Sequence, residues 1–221
     1  MGIIASVSDC HLYKTPTSRQ EYYENIFKPI AIMALTVSSM NSCCNSGSKA
    51  EAVLENIHSR KSVRQYTSEP VSDNDIQTIL KAAMAAPSAV NFQPCRFVVV
   101  TDRTQLDAMA EMLPYAKMLR QAPVAIVVCG ETIWMGGDEN PYWQQDCAAA
   151  TQNLLLAAEA LGLGAVWTGV YPDQERYRKL HAFLGMPSTV FPFCCIPVGH
   201  PAGNDQPKDK WKPENIHYGK W

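Results

Sequence analysis

The sequence predicts a single domain that contains both α-helices and β-strands. Its 221 residues can form one good hydrophobic core, whereas two independent domains would each be small. Apolar residues recur at helical spacing in several segments, of which residues 76–84 are the clearest. Short continuous apolar runs between these segments, such as 97–100, are typical of buried strands. Helices and strands therefore alternate along the chain.

The first helices and strands can be placed in order from residue 50. Val53, Leu54 and Ile57 share one face of a helix that ends before the basic residues that follow. Ser72 is the predicted N-cap of the next helix, with Asp75 three residues later. The elements after it are a strand over 96–101, a helix over 106–113 and a strand over 124–129.

The second half of the chain contains one long helix between further strands. Residues 130–142 form a loop in which Trp134 is either a lid residue or a surface anchor. The helix over 142–161 is rich in Ala and Leu, so we expect it at the centre of the domain or of a dimer. The remaining elements are a strand over 165–169, a helix over 177–184, a strand over 190–198 and a polar tail over 200–221.

The first 49 residues differ in composition from the domain predicted over 50–221. Their apolar run over 29–37 is too short to span a bilayer, which takes about 20 residues, but it suits the core of a signal peptide. With Cys43 after it, this segment resembles a bacterial lipoprotein signal in which Cys43 carries the lipid and 47–50 form a short tether. The alternative is a disordered or amphipathic extension. The first interpretation predicts a lipid-anchored protein of the cell envelope, and the second is compatible with a cytoplasmic one.

Charge, cysteines and absent motifs exclude several classes of protein. A formal net charge of −2 gives no bulk attraction for nucleic acid, so we expect no nucleic-acid partner. The eight cysteines form no C-x-x-C pair, and Cys129, Cys147 and Cys195 lie in predicted strands or a helix, where buried free thiols are common. No zinc site is predicted. The sequence also lacks the G-x-G-x-x-G, Walker-type and G-x-S-x-G motifs of dinucleotide-binding folds, P-loop enzymes and serine hydrolases.

A basic row, Arg60-Lys61-Ser62-Val63-Arg64, follows the first helix of the domain. If these residues are extended, side chains alternate, so Arg60, Ser62 and Arg64 project to one side while Val63 points into the protein. Two guanidinium groups and a hydroxyl on one wall suit a phosphate, because guanidinium is always charged and pairs bidentately with phosphate oxygens. Taken alone, the row is also typical of a solvated surface turn.

A second group of residues changes that interpretation. The loop over 86–94, here called the Pro-Ser loop, has small polar residues between two prolines. Together with the basic row, residues 146–169, the segment Pro197-Val198-Gly199 and the tail Lys208-Asp209-Lys210, it makes the chain resemble the nitroreductase family of FMN-dependent oxidoreductases. The resemblance covers residues 51–221 and implies an α+β fold, with a mostly antiparallel central sheet surrounded by helices. It also implies an intertwined homodimer with two FMN sites at its interface.

The resemblance further implies which residues bind FMN. Those at the phosphate and ribityl end are Arg60, Lys61 and Ser62, together with Lys208 and Lys210 from the tail. Arg64 would lie near N1 and O2 of the ring, where a fixed cation stabilises the reduced flavin. The residues expected to contact the ring from the opposite subunit are Pro87, Ser88, Ala89 and Asn91. Those whose backbone N–H groups approach N5 are Thr168 and Gly169. Taken alone, the Pro-Ser loop residues are also typical of an ordinary turn, and Thr168-Gly169 of a strand end. The tail lysines alone are also typical of a solvated surface.

The activity that the resemblance implies is hydride transfer through FMN. NADH or NADPH would reduce the flavin and leave, and an electron-poor acceptor such as a nitroaromatic or quinone would take the same place in a ping-pong cycle. No side chain is needed as acid or base, so no catalytic residue is predicted. Two alternatives stay open: a relative that destroys flavin or removes halogen, and a non-catalytic flavin-binding or membrane-tethered protein.

Overall fold

The computed structural model describes residues 48–221. The predicted signal segment, Cys43 and Gly47 of the predicted tether lie outside the described residues, whereas residues 48–50 of the tether are described. Within the described part of the chain, no helix is both long enough and apolar enough to cross a membrane.

The described domain contains five α-helices and five strands between residues 48 and 221. The helices are α1 (Lys49–Ser59), α2 (Asp73–Met84), α3 (Arg103–Met112), α4 (Trp143–Ala160) and α5 (Gln174–Phe183). The strands are β1 (Cys95–Val100), β2 (Val124–Glu131), β3 (Gly164–Ala165), β4 (Thr168–Gly169) and β5 (Val190–Gly199). All the predicted helices and strands are present, and the strand predicted over 165–169 is interrupted at residues 166 and 167.

Side-chain caps define where several helices begin. The Ser72 hydroxyl accepts a hydrogen bond from the backbone N–H of Asp75 at 3.1 Å, so the predicted N-cap of α2 is confirmed. Ser48 and Glu51 form a reciprocal capping box at α1, because each side chain accepts the backbone N–H of the other residue. The Ser72 cap fixes where α2 begins, eight residues after the end of the basic row.

The sheet is antiparallel at every pairing, with the order β1-β2-β5-β3 and with β4 also on β5. Strands β3 and β4 follow one register on β5, in which Ala165 faces Val198 and Thr168 faces Cys195. The predicted antiparallel central sheet is confirmed. Because β5 pairs with three other strands, the end of β5 fixes the direction in which the tail leaves the sheet.

Helices cover both faces of this sheet. Alternate residues of β2 point to opposite faces, so Ile126 and Val128 belong to one buried cluster, whereas Val127 and Cys129 belong to the other. The first cluster includes Ile79 of α2 and Leu154 of α4, and the second includes Leu106 of α3 and Leu180 of α5. The prediction of a sheet surrounded by helices is therefore confirmed.

The buried thiols of the core make the fold sensitive to alkaline pH. Burial raises the pKa of Cys129 and of Cys195 to about 12, from an ordinary value of 9.0. Above that ordinary value the unfolded chain loses thiol protons that the folded chain keeps. The contribution of each thiol to the free energy of unfolding is therefore fully present below about pH 9. It falls by about 1.4 kcal/mol per pH unit as pH rises toward the pKa of the folded state.

Urea unfolding at about pH 7, 9 and 10 measures this loss. We expect the Cys129→Ala variant to lose less stability than the wild type between about pH 9 and pH 10, because one of the titrating groups is removed. A free energy of unfolding that stays constant over this interval would contradict the assignment.

Candidate active site

The basic row lies against the sheet edge and is held there by Val63. This residue is 1% exposed, and its N–H donates to the carbonyl of Ala165 in β3 at 3.0 Å. Gly164 leaves no room for a side chain, because a Cβ atom there would lie 2.5 Å from Val63 Cγ1. The inward orientation predicted for Val63 is confirmed, and the row is fixed to β3.

Tyr66 joins the row to the central strand. Its buried hydroxyl lies 2.7 Å from the carbonyl oxygen of Val63 and 3.2 Å from that of Pro197 in β5. Burial raises the pKa of Tyr66 well above its ordinary value, although nearby Arg64 acts in the opposite direction. The phenol therefore stays protonated and able to donate, which fixes the end of the row.

The chain after β5 returns alongside the row. The N–H of Thr67 donates to the carbonyl of His200, and the N–H of Ala202 donates to that of Gln65, both at 2.9 Å. Beyond this pairing, the N–H of Arg64 lies 3.4 Å from Oδ2 of Asp205. These contacts explain why residues far apart in the sequence meet at one place.

The row and the tail enclose a cavity of about 520 Å³, here called the row cavity. Its lining residues are Arg60, Lys61, Ser62, Arg64, Asn204, Asp205, Gln206, Lys208 and Lys210. Six of the twelve predicted site residues are therefore brought together. Five cationic side chains face a single carboxylate here, so the cavity suits an anionic ligand such as a phosphate ester.

Lys61 differs from the other cations of the row cavity. Its ammonium group forms an ion pair with Glu159 of α4 at 3.0 Å, and the two side chains are 27% and 13% exposed. Because its charge already has a partner, Lys61 has less to offer a phosphate than Arg60. The ion pair also ties the row to the end of α4.

The Pro-Ser loop lies elsewhere and adopts a strained backbone. Val90, Asn91 and Gln93 have φ angles of 47°, 56° and 56°, which residues other than glycine seldom adopt. Pro87 and Ser88 line a cavity of about 250 Å³, here called the loop cavity, which shares no lining residue with the row cavity. Within one chain, the loop and the row therefore belong to two separate sites.

Thr168 and Gly169 occupy β4, and neither lines the row cavity nor the loop cavity. Thr168 is buried and its hydroxyl donates to the carbonyl of Cys195 at 2.6 Å, whereas Gly169 is exposed. The side chain of Thr168 therefore has a structural partner in β5, and only Gly169 presents its backbone at the surface.

Residues 130–142 pack on the Pro-Ser loop through aromatic rings. The ring of Trp134 lies 4.9 Å from that of Phe92 and 6.4 Å from that of Tyr142. The backbone N–H of Trp134 donates to the backbone carbonyl of Asp138 at 2.7 Å, which closes the segment into a short hairpin. Trp134 thus contacts the Pro-Ser loop, and a lid role for it stays a prediction.

Comparison with known proteins identifies the family. The model of the Nitroreductase family matches residues 57–114 and 104–200. The chain belongs to the nitroreductase family.

Several relatives are similar to this nitroreductase over most of their own length. It is 45% identical over 170 residues to the "Putative NADH dehydrogenase/NAD(P)H nitroreductase" of Methanothermobacter thermautotrophicus, covering 76% of this chain and 87% of that protein. A protein of the same name from Bacteroides thetaiotaomicron has a crystal structure that superposes on this chain with a TM-score of 0.73. Its sequence is 48% identical, and the match covers 77% of this chain and 98% of that one. A Desulfovibrio desulfuricans chain crystallised in complex with FMN is 35% identical with a TM-score of 0.65, over 76% and 97%.

Asp146 is a residue of this nitroreductase that the sequence did not single out as functional. Its side chain is buried, and Oδ1 accepts the backbone N–H of Ala89 in the Pro-Ser loop at 3.0 Å. Oδ2 is buried as well and has no hydrogen-bond partner among residues 48–221. The signal that was available is an acidic residue in the first turn of a helix that is otherwise rich in Ala and Leu.

Asp146 is expected to hold the Pro-Ser loop in its strained conformation. We expect Asp146→Ala to accelerate amide hydrogen exchange of Ala89 by about 5- to 10-fold, because one hydrogen bond of about 1 kcal/mol is lost. Asp146→Asn keeps an acceptor oxygen at the same place and is the matched control, with exchange close to that of the wild type. Equal protection of Ala89 in the alanine variant and the wild type would show that other contacts hold the loop.

Proposed function

We propose that this nitroreductase is an FMN-dependent NAD(P)H oxidoreductase that reduces nitroaromatic, quinone or similar electron-poor acceptors. The observation that carries the proposal is the row cavity, where three cations, Arg60, Lys208 and Lys210, and the Ser62 hydroxyl fit the phosphate and ribityl groups of FMN. Its volume of about 520 Å³ is in the range of sites for small cofactors. The names of similar proteins, which include NAD(P)H nitroreductase and a chain in complex with FMN, support the same cofactors.

The phosphate end of the site is formed by Arg60 and the two tail lysines. Arg60 binds phosphate oxygens through its planar fork, whereas Lys208 and Lys210 act as point charges. Lys61 stabilises this end indirectly, since its ion pair with Glu159 holds the row to α4. We therefore assign Arg60, Lys208 and Lys210 to the phosphate, and Ser62 to the ribityl chain.

The ring end of the site is assigned to Arg64. It lies at the far end of the row from Arg60, and both line the row cavity. A fixed cation beside the pyrimidine part of the ring stabilises the negative charge of a reduced flavin. Bound FMN would supply the chemistry of hydride transfer between NADH or NADPH and the acceptor. Of the two residues of β4, Gly169 is assigned to the neighbourhood of N5, because it is the one whose backbone is exposed.

A second subunit completes the site in this proposal. Val53, Leu54 and Ile57 on one face of α1 are 51%, 53% and 44% exposed, and Val90 of the Pro-Ser loop is 85% exposed. A contiguous apolar patch on a protein surface marks an interaction site. A homodimer covers it and brings Pro87, Ser88, Ala89 and Asn91 of one subunit to the flavin of the other.

Steady-state assays with NADPH test the proposed activity. Rapid loss of NADPH that requires nitrofurazone or menadione supports an oxidoreductase of this type. Consumption of the flavin itself, or release of halide from a halogenated phenol, would instead indicate the flavin-destroying or dehalogenating alternative. Slow flavin reduction that does not depend on the acceptor would indicate a non-catalytic flavin-binding protein.

A further inference from the structure

Two cysteine thiols are in contact with each other and have no part in the proposed function. Cys95 is the first residue of β1, Cys147 lies in α4, and their Sγ atoms are 3.8 Å apart. Cys95 is half-buried, whereas Cys147 is fully buried. The sulfur atoms of a disulfide are about 2.05 Å apart, so the pair needs an approach of less than about 2 Å to form one.

The absence of a side chain at Gly130 allows this contact. Gly130 of β2 lies opposite Cys95 in the register of β1 on β2. A Cβ atom at residue 130 would lie 2.9 Å from Sγ of Cys147 and 2.5 Å from the ring of Trp143. Glycine therefore leaves open the space in which the two sulfur atoms meet.

The loop cavity gives a small oxidant access to only one of the two thiols. Cys95 lines this cavity of about 250 Å³, and Cys147 does not. Asp146 lines the same cavity, and its buried Oδ2, which has no partner among residues 48–221, offers an acceptor for the O–H group of a peroxide. We therefore expect a peroxide to meet Cys95 first.

The acidities of the two thiols favour the same order of reaction. The contact with Cys147 lowers the pKa of Cys95 below its ordinary value of 9.0, and this effect outweighs burial and the Asp146 carboxylate, which raise it. The guanidinium of Arg96 acts in the same direction as the contact. The contact with Cys95, followed by burial, raises the pKa of Cys147. Because the thiolate is the nucleophile, Cys95 reacts first and Cys147 second.

We propose that Cys95 and Cys147 are a modification site at which hydrogen peroxide forms a reversible disulfide within one chain. The Cys95 thiolate attacks a peroxide oxygen, so an S–O bond forms, the O–O bond breaks, and the leaving hydroxide takes up a proton to become water. Sulfur of Cys147 then attacks the sulfenic acid of Cys95. The S–S bond forms, the S–O bond breaks, and hydroxide leaves as a second water with the proton of the Cys147 thiol.

The balance of this reaction is closed by the thiols and the peroxide alone. Two thiols lose two electrons in total, and one hydrogen peroxide is reduced to two waters. Neither flavin nor NAD(P)H takes part, so the inference does not depend on the proposed function.

Peroxide treatment of the full-length chain, followed by alkylation of free thiols and peptide mass spectrometry, tests the inference. We expect a Cys95–Cys147 cross-link in a product that runs as a monomer on a non-reducing gel, and dithiothreitol should remove it. In Cys147→Ala the sulfenic acid of Cys95 should persist and react with dimedone, whereas Cys95→Ala should leave Cys147 unmodified. Cys195→Ala is the matched control with an unchanged cross-link, because Cys195 belongs to the buried cluster on the other face of the sheet.

Alkylation of the untreated wild type provides a measurement that needs no variant. Iodoacetamide should modify Cys95 at least about 10-fold faster than Cys147, because Cys95 is the more accessible and the more acidic thiol. Equal rates for the two thiols would contradict the proposed order of reaction, even if a substitution in the core prevented folding.

The inference is overturned if peroxide leaves both thiols free, or if it oxidises Cys95 to sulfinic acid without a cross-link. It is also overturned if either thiol is joined to another cysteine instead, or if the cross-linked product is a dimer, because the sulfur contact lies within one chain. All these outcomes are read without flavin binding or NADPH turnover. Failure of this inference is thereby distinguished from failure of the proposed function.

Discussion

Replacing Arg60 and Arg64 together by alanine is expected to weaken FMN binding by about 100-fold or more. Each guanidinium contributes a charge-assisted contact of about 1.5–3 kcal/mol, one at each end of the row cavity. The fold should survive, because Val63 and Tyr66 hold the row through contacts that neither arginine side chain makes. Titration of the flavin-free variant, with fluorescence of the free cofactor as the signal, gives the ratio directly.

The matched control for this experiment is Arg178→Ala. Arg178 is an exposed arginine of α5 that does not line the row cavity. Its loss should leave FMN affinity within about 2-fold of the wild type. A double variant at Arg60 and Arg64 that is purified folded and fully loaded with flavin would overturn the assignment of the cofactor to the row.

Gly164→Ala is expected to destabilise the domain and to weaken FMN binding in the same variant. A Cβ atom at residue 164 would lie 2.5 Å from Val63 Cγ1 and 2.7 Å from Val63 Cβ. Because the second contact involves the Cβ atom, no change of rotamer relieves it, and the row itself has to move. Overpacking of this kind costs about 1–3 kcal/mol, which urea unfolding measures.

Gly136→Ala provides the control for the added methyl group. A Cβ atom at residue 136 would meet no other atom within 4 Å, so neither stability nor flavin affinity should change appreciably. If Gly164→Ala lowers stability but leaves FMN affinity intact, the position of the row is not what determines binding. Normal stability in that variant would instead show that β3 can separate from the row without cost.

The elements of the fold could be predicted because local signals agree with the final structure. Ser72 and Asp75 mark the start of α2, and alternation places Val63 inside, so short-range chemistry decides both features. The convergence of row and tail was predicted only from the resemblance to a family. Its physical cause is the pairing of residues 65–67 with 200–202, which no local pattern in the sequence encodes.

The features of the site that the sequence does not predict are contacts between residues far apart along the chain. The ion pair of Lys61 with Glu159 joins residues 98 positions apart, and the hydrogen bond from Ala89 to Asp146 joins residues 57 apart. Charge and spacing in the sequence reveal neither, because both depend on how α4 packs against the loop and the row.

A comparison of FMN with riboflavin tests the central claim most directly, since the two ligands differ only in the phosphate. If the cations of the row cavity bind that phosphate, FMN should bind at least about 100-fold more tightly than riboflavin, with a difference that shrinks as salt concentration rises. Equal affinities of the wild type for the two ligands, independent of salt, would contradict the account.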